Sequence, residues 1–167
     1  METLIEWRKD FLLLILLGWC NFLPILARKI FRDRFSQPVD FNLFKWFDGR
    51  PLFGPHKTWR GIIFSGVFTA LASSFTDFGA WTGAKIALFS LSGDLVASFI
   101  KRRAGFKSGE KFSVIDQGLE SFAPLWLLRE GLNINWLDIF LIVLVFTFCE
   151  IIISPLLFRL NIRRNPF

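Results

Sequence analysis

The stretch WLDIFLIVLVFTFCEIIISPLL, residues 136–157, decides the fold class. Its only charged groups are Asp138 near the start and Glu150. A helix that crosses the hydrocarbon core of a bilayer needs roughly 20 mostly apolar residues, and this run supplies them. Reading upstream gives four more apolar windows, at about Gly79 to Ile100, Phe11 to Ala27, Gly61 to Phe75 and Phe112 to Leu128. The last of these is interrupted by Asp116, Gln117 and Glu120, and the windows at 61–75 and 112–128 are short for a full crossing. The expectation is an all-α integral membrane protein, a bundle of five transmembrane helices in a single polytopic domain covering 1–167. Its polar site lies on the cytoplasmic side.

Composition agrees. The chain has 167 residues, 53% of them hydrophobic, with 22 Phe, 7 Trp and no Tyr, and a mean hydropathy of +0.46. A bilayer solvates that much apolar surface; a small soluble domain has no use for it. Cys20 and Cys149 both lie in apolar runs and read as small buried hydrophobes. No cleavable signal peptide is expected, because the first apolar run is long enough to span and ends without a small-residue cleavage site.

The net charge is +6. Most of it flanks the apolar spans, which favours anionic head groups and phosphates over nucleic acid. Lys and Arg crowd the connection 28–60, vanish between spans two and three, return at 101–111, thin to Arg129 and return at 159–164. Under the positive-inside rule this alternation fits five crossings of the cell membrane, with the N-terminus outside and the C-terminus in the cytoplasm. The connection 28–60 also holds Pro38, Gly49, Pro51, Gly54 and Pro55, so it is not helical throughout.

Three polar clusters need a reason. Asp48-Gly49-Arg50 and Lys57-Thr58-Trp59-Arg60 precede the second span, where a helix N-terminus and basic side chains suit a phosphate. The bland alternative is a set of positive-inside and interfacial residues. Asp94 and Ser98 share a helix face that Lys101 and Arg102 continue to the cytoplasmic boundary; a structural Asp–Lys or Asp–Arg pair is the alternative there. On the same reasoning Arg103 points away, toward lipid head groups. Asp116 and Glu120 also share one face. With Asp94 they form an oxygen donor set suited to Mg²⁺, although a solvated flank equally accounts for Glu120. His56, the only histidine, reads as a surface residue, and Lys85 as snorkelling outward. Glu150 reads as paired with a cation of the bundle or protonated.

These residues resemble a known family, the CDP-archaeol synthases, which are relatives of the CTP:phosphatidate cytidylyltransferases. The matching stretches are Asn21-Phe22-Leu23-Pro24, Pro38-Val39-Asp40-Phe41, Phe47 to Gly54, Lys57 to Gly61, Gly93-Asp94, Ser98 to Arg103 and Asp116-Gln117. The resemblance implies a five-helix membrane enzyme that transfers CMP from CTP to a lipid phosphate with Mg²⁺ and releases pyrophosphate. It implies Asp94 and Asp116 as metal ligands and Lys57, Arg60, Lys101 and Arg102 as phosphate binders. Ser98 and Thr58 become supporting contacts, Asp48 and Arg50 shape the nucleotide pocket, and Gln117 adjoins it. Family members end in a His-containing segment and a terminal Pro-Trp, whereas this chain ends Asn165-Pro166-Phe167. The acceptor is therefore left open between an isoprenoid ether lipid and an acyl lipid, and the oligomeric state is likewise open. A transporter or flippase for a phosphorylated lipid is the competing function. It would commonly carry inverted repeats, and none is visible here.

Overall fold

The computed structural model describes residues 2–41, 47, 49–106 and 113–160. Asp48, Lys107, Lys111, Arg163 and Arg164 lie outside the described residues, so their expected roles stay with the sequence. The elements are α1 (Glu2–Phe31), α2 (Trp59–Ser73), α3 (Gly79–Arg103), α4 (Ser113–Leu127), a single turn α5 (Arg129–Leu132) and α6 (Trp136–Arg159). Among the described residues the β pairing is an isolated antiparallel bridge between Pro38 and Thr58.

Each of the five apolar windows is a helix. Three helices overrun their windows: α1 starts at Glu2 and ends at Phe31, α3 runs through Arg103 and α6 through Arg159, whereas α4 stays within its window and α2 stops two residues short of Phe75. Hydropathy marks where lipid is favourable, whereas backbone hydrogen bonding continues past that boundary into water. The chain is a multi-pass membrane protein in which α1, α3 and α6 are each long and apolar enough to cross a bilayer. α2 and α4 have 15 residues each, about 22 Å of helix. The turn α5 falls outside the apolar windows. Asn133 adopts a left-handed conformation (φ 50°) and closes it. Asn135 then caps α6 in a reciprocal box with Asp138, which explains an acid at the start of an otherwise apolar run.

Side-chain contacts sort the helix ends into two groups. Arg8 of α1 pairs with Asp77 of the α2–α3 turn, and Lys9 donates to the Asn133 carbonyl at 2.5 Å. The start of α1, the α2–α3 turn and the α4–α6 connection therefore share one end. At the other end Arg60 donates to the carbonyls of Arg32 and Arg34, and Arg50 to those of Arg102 and Arg103.

The apolar core joins Leu13, Leu16 and Leu17 of α1 to Ile86 of α3, Leu125 of α4 and Ile139, Ile142 and Phe146 of α6. α2 packs differently. Its buried face is Gly61, Ser65, Thr69 and Ser73, one small residue per turn, the pattern that lets membrane helices approach closely. Ser65 Oγ donates to the Cys20 carbonyl at 3.2 Å. A Cβ at Gly83 would sit 2.3 Å from Ser73 Cβ.

The tightest contact between backbones lies at Gly93. A Cβ there would lie 2.4 Å from the Leu119 carbonyl oxygen and 3.2 Å from Glu120 Cα. Those atoms are backbone and cannot swing aside. Gly93→Ala is therefore expected to force α3 from α4 and to destabilise by about 1–3 kcal/mol. Gly66→Ala, where a Cβ meets open space, should be neutral or slightly stabilising. Thermal unfolding of the two variants in detergent checks this, with a lower Tm expected for Gly93→Ala alone.

Candidate functional site

The close approach at Gly93 fixes the position of the residue next to it. Asp94 emerges beside the α3–α4 crossing, and Lys57, from the loop before α2, reaches it. Lys57 Nζ contacts both carboxylate oxygens, at 2.6 Å to Oδ1 and closely to Oδ2. Two turns further along α3, Lys101 Nζ donates to Asp116 Oδ2 at 2.6 Å. The two ion pairs thus join the 57–58 loop, α3 and α4 at one end of the bundle. Burial alone pushes the Lys57 ammonium down. Asp94, reinforced by Glu120 and Asp116, more than offsets this and holds its pKa above the ordinary value. That coupling places three carboxylates within electrostatic reach of one lysine.

Glu120 is 6% exposed, so of its two open readings the solvated flank is excluded. Ser98 and Gln117 are also buried. Gln117 Oε1 and Asp116 Oδ1 are buried without a hydrogen-bond partner among the described residues. An orphaned, buried carboxylate oxygen is a donor that fits a hard cation. Among the described residues no group of three or more His, Cys, Asp or Glu side chains is placed to hold a metal ion by itself.

A cleft of about 170 Å³ opens beside the Lys57–Asp94 pair, between the end of α1, the 55–58 loop and α3. Arg28, Arg32, His56 and Arg60 line it. His56 stands exposed at its rim, as a surface residue should. Partial burial, then the charges of Arg28, Lys57 and Arg102, push its imidazole below the usual value. The basic side chains that line the cleft suit an anion. Thr58 caps α2 by accepting from Gly61 N at 3.3 Å.

Several basic residues have a second duty that the sequence does not reveal. Arg60 Nη1 holds the turn after α1 through the Arg32 and Arg34 carbonyls, at 2.8 and 2.5 Å. Arg50 Nη1 caps α3 through the carbonyls of Arg102 and Arg103, each at 3.1 Å. Arg103 answers by donating to Pro51 O at 2.6 Å and stacks over Phe99 at 5.2 Å. The expectation that Arg103 faces lipid head groups is corrected: it clamps the loop, because that loop folds back over the end of α3. Arg102 is 6% exposed, on the packed side of the helix. Asp40, singled out by the family pattern but given no role from sequence, is 2% exposed and accepts from Phe53 N and Gly54 N. Proline and glycine spacing in that loop is the available signal that it is folded.

The model of the CarS-like family, described as CDP-archaeol synthase, matches residues 72–167. That stretch contains Asp94, Ser98, Lys101, Arg102, Asp116 and Gln117, whereas Arg50, Lys57, Thr58 and Arg60 precede it. A CDP-archaeol synthase of Staphylothermus marinus is 37% identical over 103 residues, covering 58% of this chain and 54% of that protein. One of Saccharolobus islandicus is 35% identical over 107 residues, covering 60% and 64%. The match therefore spans between about half and two thirds of these curated relatives. A solved structure of an intramembrane enzyme for archaeal membrane lipid biosynthesis superposes with a TM-score of 0.64 at 26% identity, over 84% of this chain and 91% of that one. With the family match extending over more than half of its length, this chain belongs to the CarS-like family of CDP-archaeol synthases.

Proposed function

We propose that this chain is a membrane cytidylyltransferase: it transfers CMP from CTP to a lipid phosphate and releases pyrophosphate. The observation that carries the reading is the pair of lysine–carboxylate contacts, Lys57–Asp94 and Lys101–Asp116, beside an anion-favouring cleft in a member of this family. The reading includes five crossings in one polytopic domain, the N-terminus outside, and the paired residues at the cytoplasmic face. The sorting of helix ends and the Lys and Arg alternation support that orientation.

In this reaction an oxygen of the lipid phosphate attacks the α-phosphorus of CTP. The new P–O bond forms as the bond to the β-phosphate oxygen breaks, and pyrophosphate leaves. Positioning and charge neutralisation supply most of the catalysis, so no protein nucleophile is required. Asp94 and Asp116 would hold Mg²⁺, whose chemistry when bound would be neutralisation of phosphate charge. Lys57 and Lys101 present ammonium groups that can pass from carboxylate to phosphate oxygens. Arg60 contributes positive charge in the cleft, Arg102 from the packed side of α3, and Arg50 shapes the nucleotide pocket. Ser98 and Gln117 would supply supporting polar contacts to the substrate, and Asp48 belongs with the nucleotide pocket.

The direct test is purified full-length protein in detergent with α-labelled CTP, Mg²⁺ and a panel of lipid phosphates. A labelled CDP-lipid is expected. Asp94→Asn and Asp116→Asn keep the shape and remove one charge each, so turnover should fall by orders of magnitude in protein that still inserts and purifies. Near-normal turnover in either variant would make that carboxylate structural.

The basic residues should separate in the same assay. Lys101→Ala is expected to lower kcat/KM for CTP more than tenfold, since a charge-assisted contact is worth about 1.5–3 kcal/mol. Arg103→Ala should instead loosen residues 49–54, read as faster amide exchange there. An Arg103→Ala protein with unchanged exchange would contradict the clamp. A reporter fused after Phe167 is expected to read as cytoplasmic, and an extracytoplasmic signal would reverse the orientation.

A further inference from the structure

α2 has two faces. One is the small-residue stripe packed into the bundle. The other carries Arg60, Ile63, Phe64, Val67 and Phe68, spaced i, i+3, i+4, i+7 and i+8, which forms one continuous helical stripe. A groove of about 980 Å³ runs along it, walled on its far side by Phe31 and the 35–38 segment. Phe31 packs edge-on against Phe64 at 6.0 Å, and Phe64 lies 4.3 Å from Phe68. These rings make a floor, while Ile63 and Val67 leave 61% and 58% of their surface open. The stripe from Arg60 to Phe68 is about 12 Å long.

This groove is continuous with the polar cleft. Asp33, Ser36 and Arg60 line both cavities. Arg60 stands at the junction, and its buried Nε has no hydrogen-bond partner among the described residues. Arg28 and Arg32 line the cleft on the same side. A ligand that fills both spaces must join an anionic head to an apolar chain, with the anion next to Arg60. A neutral lipid leaves the basic junction uncompensated, and a free nucleotide leaves the groove empty.

We propose that the groove between the end of α1 and the outer face of α2 seats a hydrocarbon chain of the acceptor lipid phosphate, with its phosphate at the Arg60 junction facing Lys57 and Asp94. The inference rests on the cytidylyltransferase reading for the identity of the acceptor. It adds where the chain lies and which residues set the chain length accepted.

Two measurements test it. In the first, Val67→Trp and Ile63→Trp fill the groove, with Leu144→Trp on the outward face of α6 as the control. The KM for a long-chain lipid phosphate is expected to rise at least tenfold in the groove variants, with the KM for CTP unchanged. The control should behave as wild type. An unchanged lipid KM in folded groove variants, or a shift in the CTP KM instead, overturns the proposal. If the wild type makes no CDP-lipid from any lipid phosphate, the reading of function fails, and the second measurement still decides the groove. A lipid phosphate with a diazirine in its chain is photolysed with wild-type protein in nanodiscs and the labelled peptide is sequenced. Labelling of residues 60–68 that excess unlabelled lipid phosphate removes, and that a neutral lipid with the same chains does not, is expected. Labelling that neither competitor removes, or that both remove equally, identifies ordinary bilayer lipid and overturns the proposal.

Discussion

The contact of α3 with α4 at Gly93 is the constraint on which the rest of the structure depends. Its backbone comes so near Leu119 and Glu120 that no side chain fits between them. In a bilayer such contacts are held by close packing, since lipid tails are as apolar as the helices themselves. The contact also decides the chemistry. It draws Asp94 on α3 toward Asp116 and Glu120 on α4, and three acids gathered in a low-dielectric interior would repel one another. Lys57 and Lys101 offset that repulsion. Removing one member of a buried pair leaves an uncompensated charge, at a cost of about 3–5 kcal/mol when burial is complete; these pairs are partly exposed, so the cost here is lower.

In the proposed reaction that arrangement would give the lysines two competing roles. With no anion present they neutralise the acids. A triphosphate is a richer acceptor, and a divalent cation can replace the ammonium groups on the carboxylates. A site of this kind would be preorganised in charge: opposite charges already stand where the proposed substrate would bring more of each. The loop that delivers Lys57 is itself built onto α3 and α1: Arg50 donates to the Arg102 carbonyl at the end of α3, Arg60 to the Arg32 carbonyl after α1, and Arg103 to the loop carbonyl of Pro51. The contacts at helix ends satisfy carbonyls that a helix leaves without partners, so basic residues that flank the apolar helices also hold the loop.

The helices were legible because a crossing demands a long apolar run, and the window at 136–157 leaves no other reading. Asp94, Lys101 and Asp116 were legible because a charged group at the edge of an apolar helix is costly without a partner. The lysine–carboxylate pairing was visible only as one of two options, since spacing along a helix shows which residues share a face and is silent on what a neighbouring loop brings. Arg103 shows the limit most clearly. Its helical position points it away from Asp94, as expected, but what lies in that direction is the folded loop and not the membrane surface. Glu120 was ambiguous for a similar reason: four residues after Asp116 is the inward face only if α4 crosses α3 there, and that crossing depends on the missing side chain of Gly93. Both ends of α1 and the far end of α3 extend beyond the apolar windows because helical hydrogen bonding does not stop where lipid does.

The central claim is that Lys57 and Lys101 exchange carboxylate for phosphate when substrate arrives. A structure of the full chain determined with CTP and Mg²⁺ tests it most directly. The account predicts the carboxylates of Asp94 and Asp116 turned toward one cation site, with Lys57 Nζ and Lys101 Nζ within hydrogen-bond distance of phosphate oxygens. Nucleotide bound elsewhere, with both lysine–carboxylate pairs intact, would contradict it.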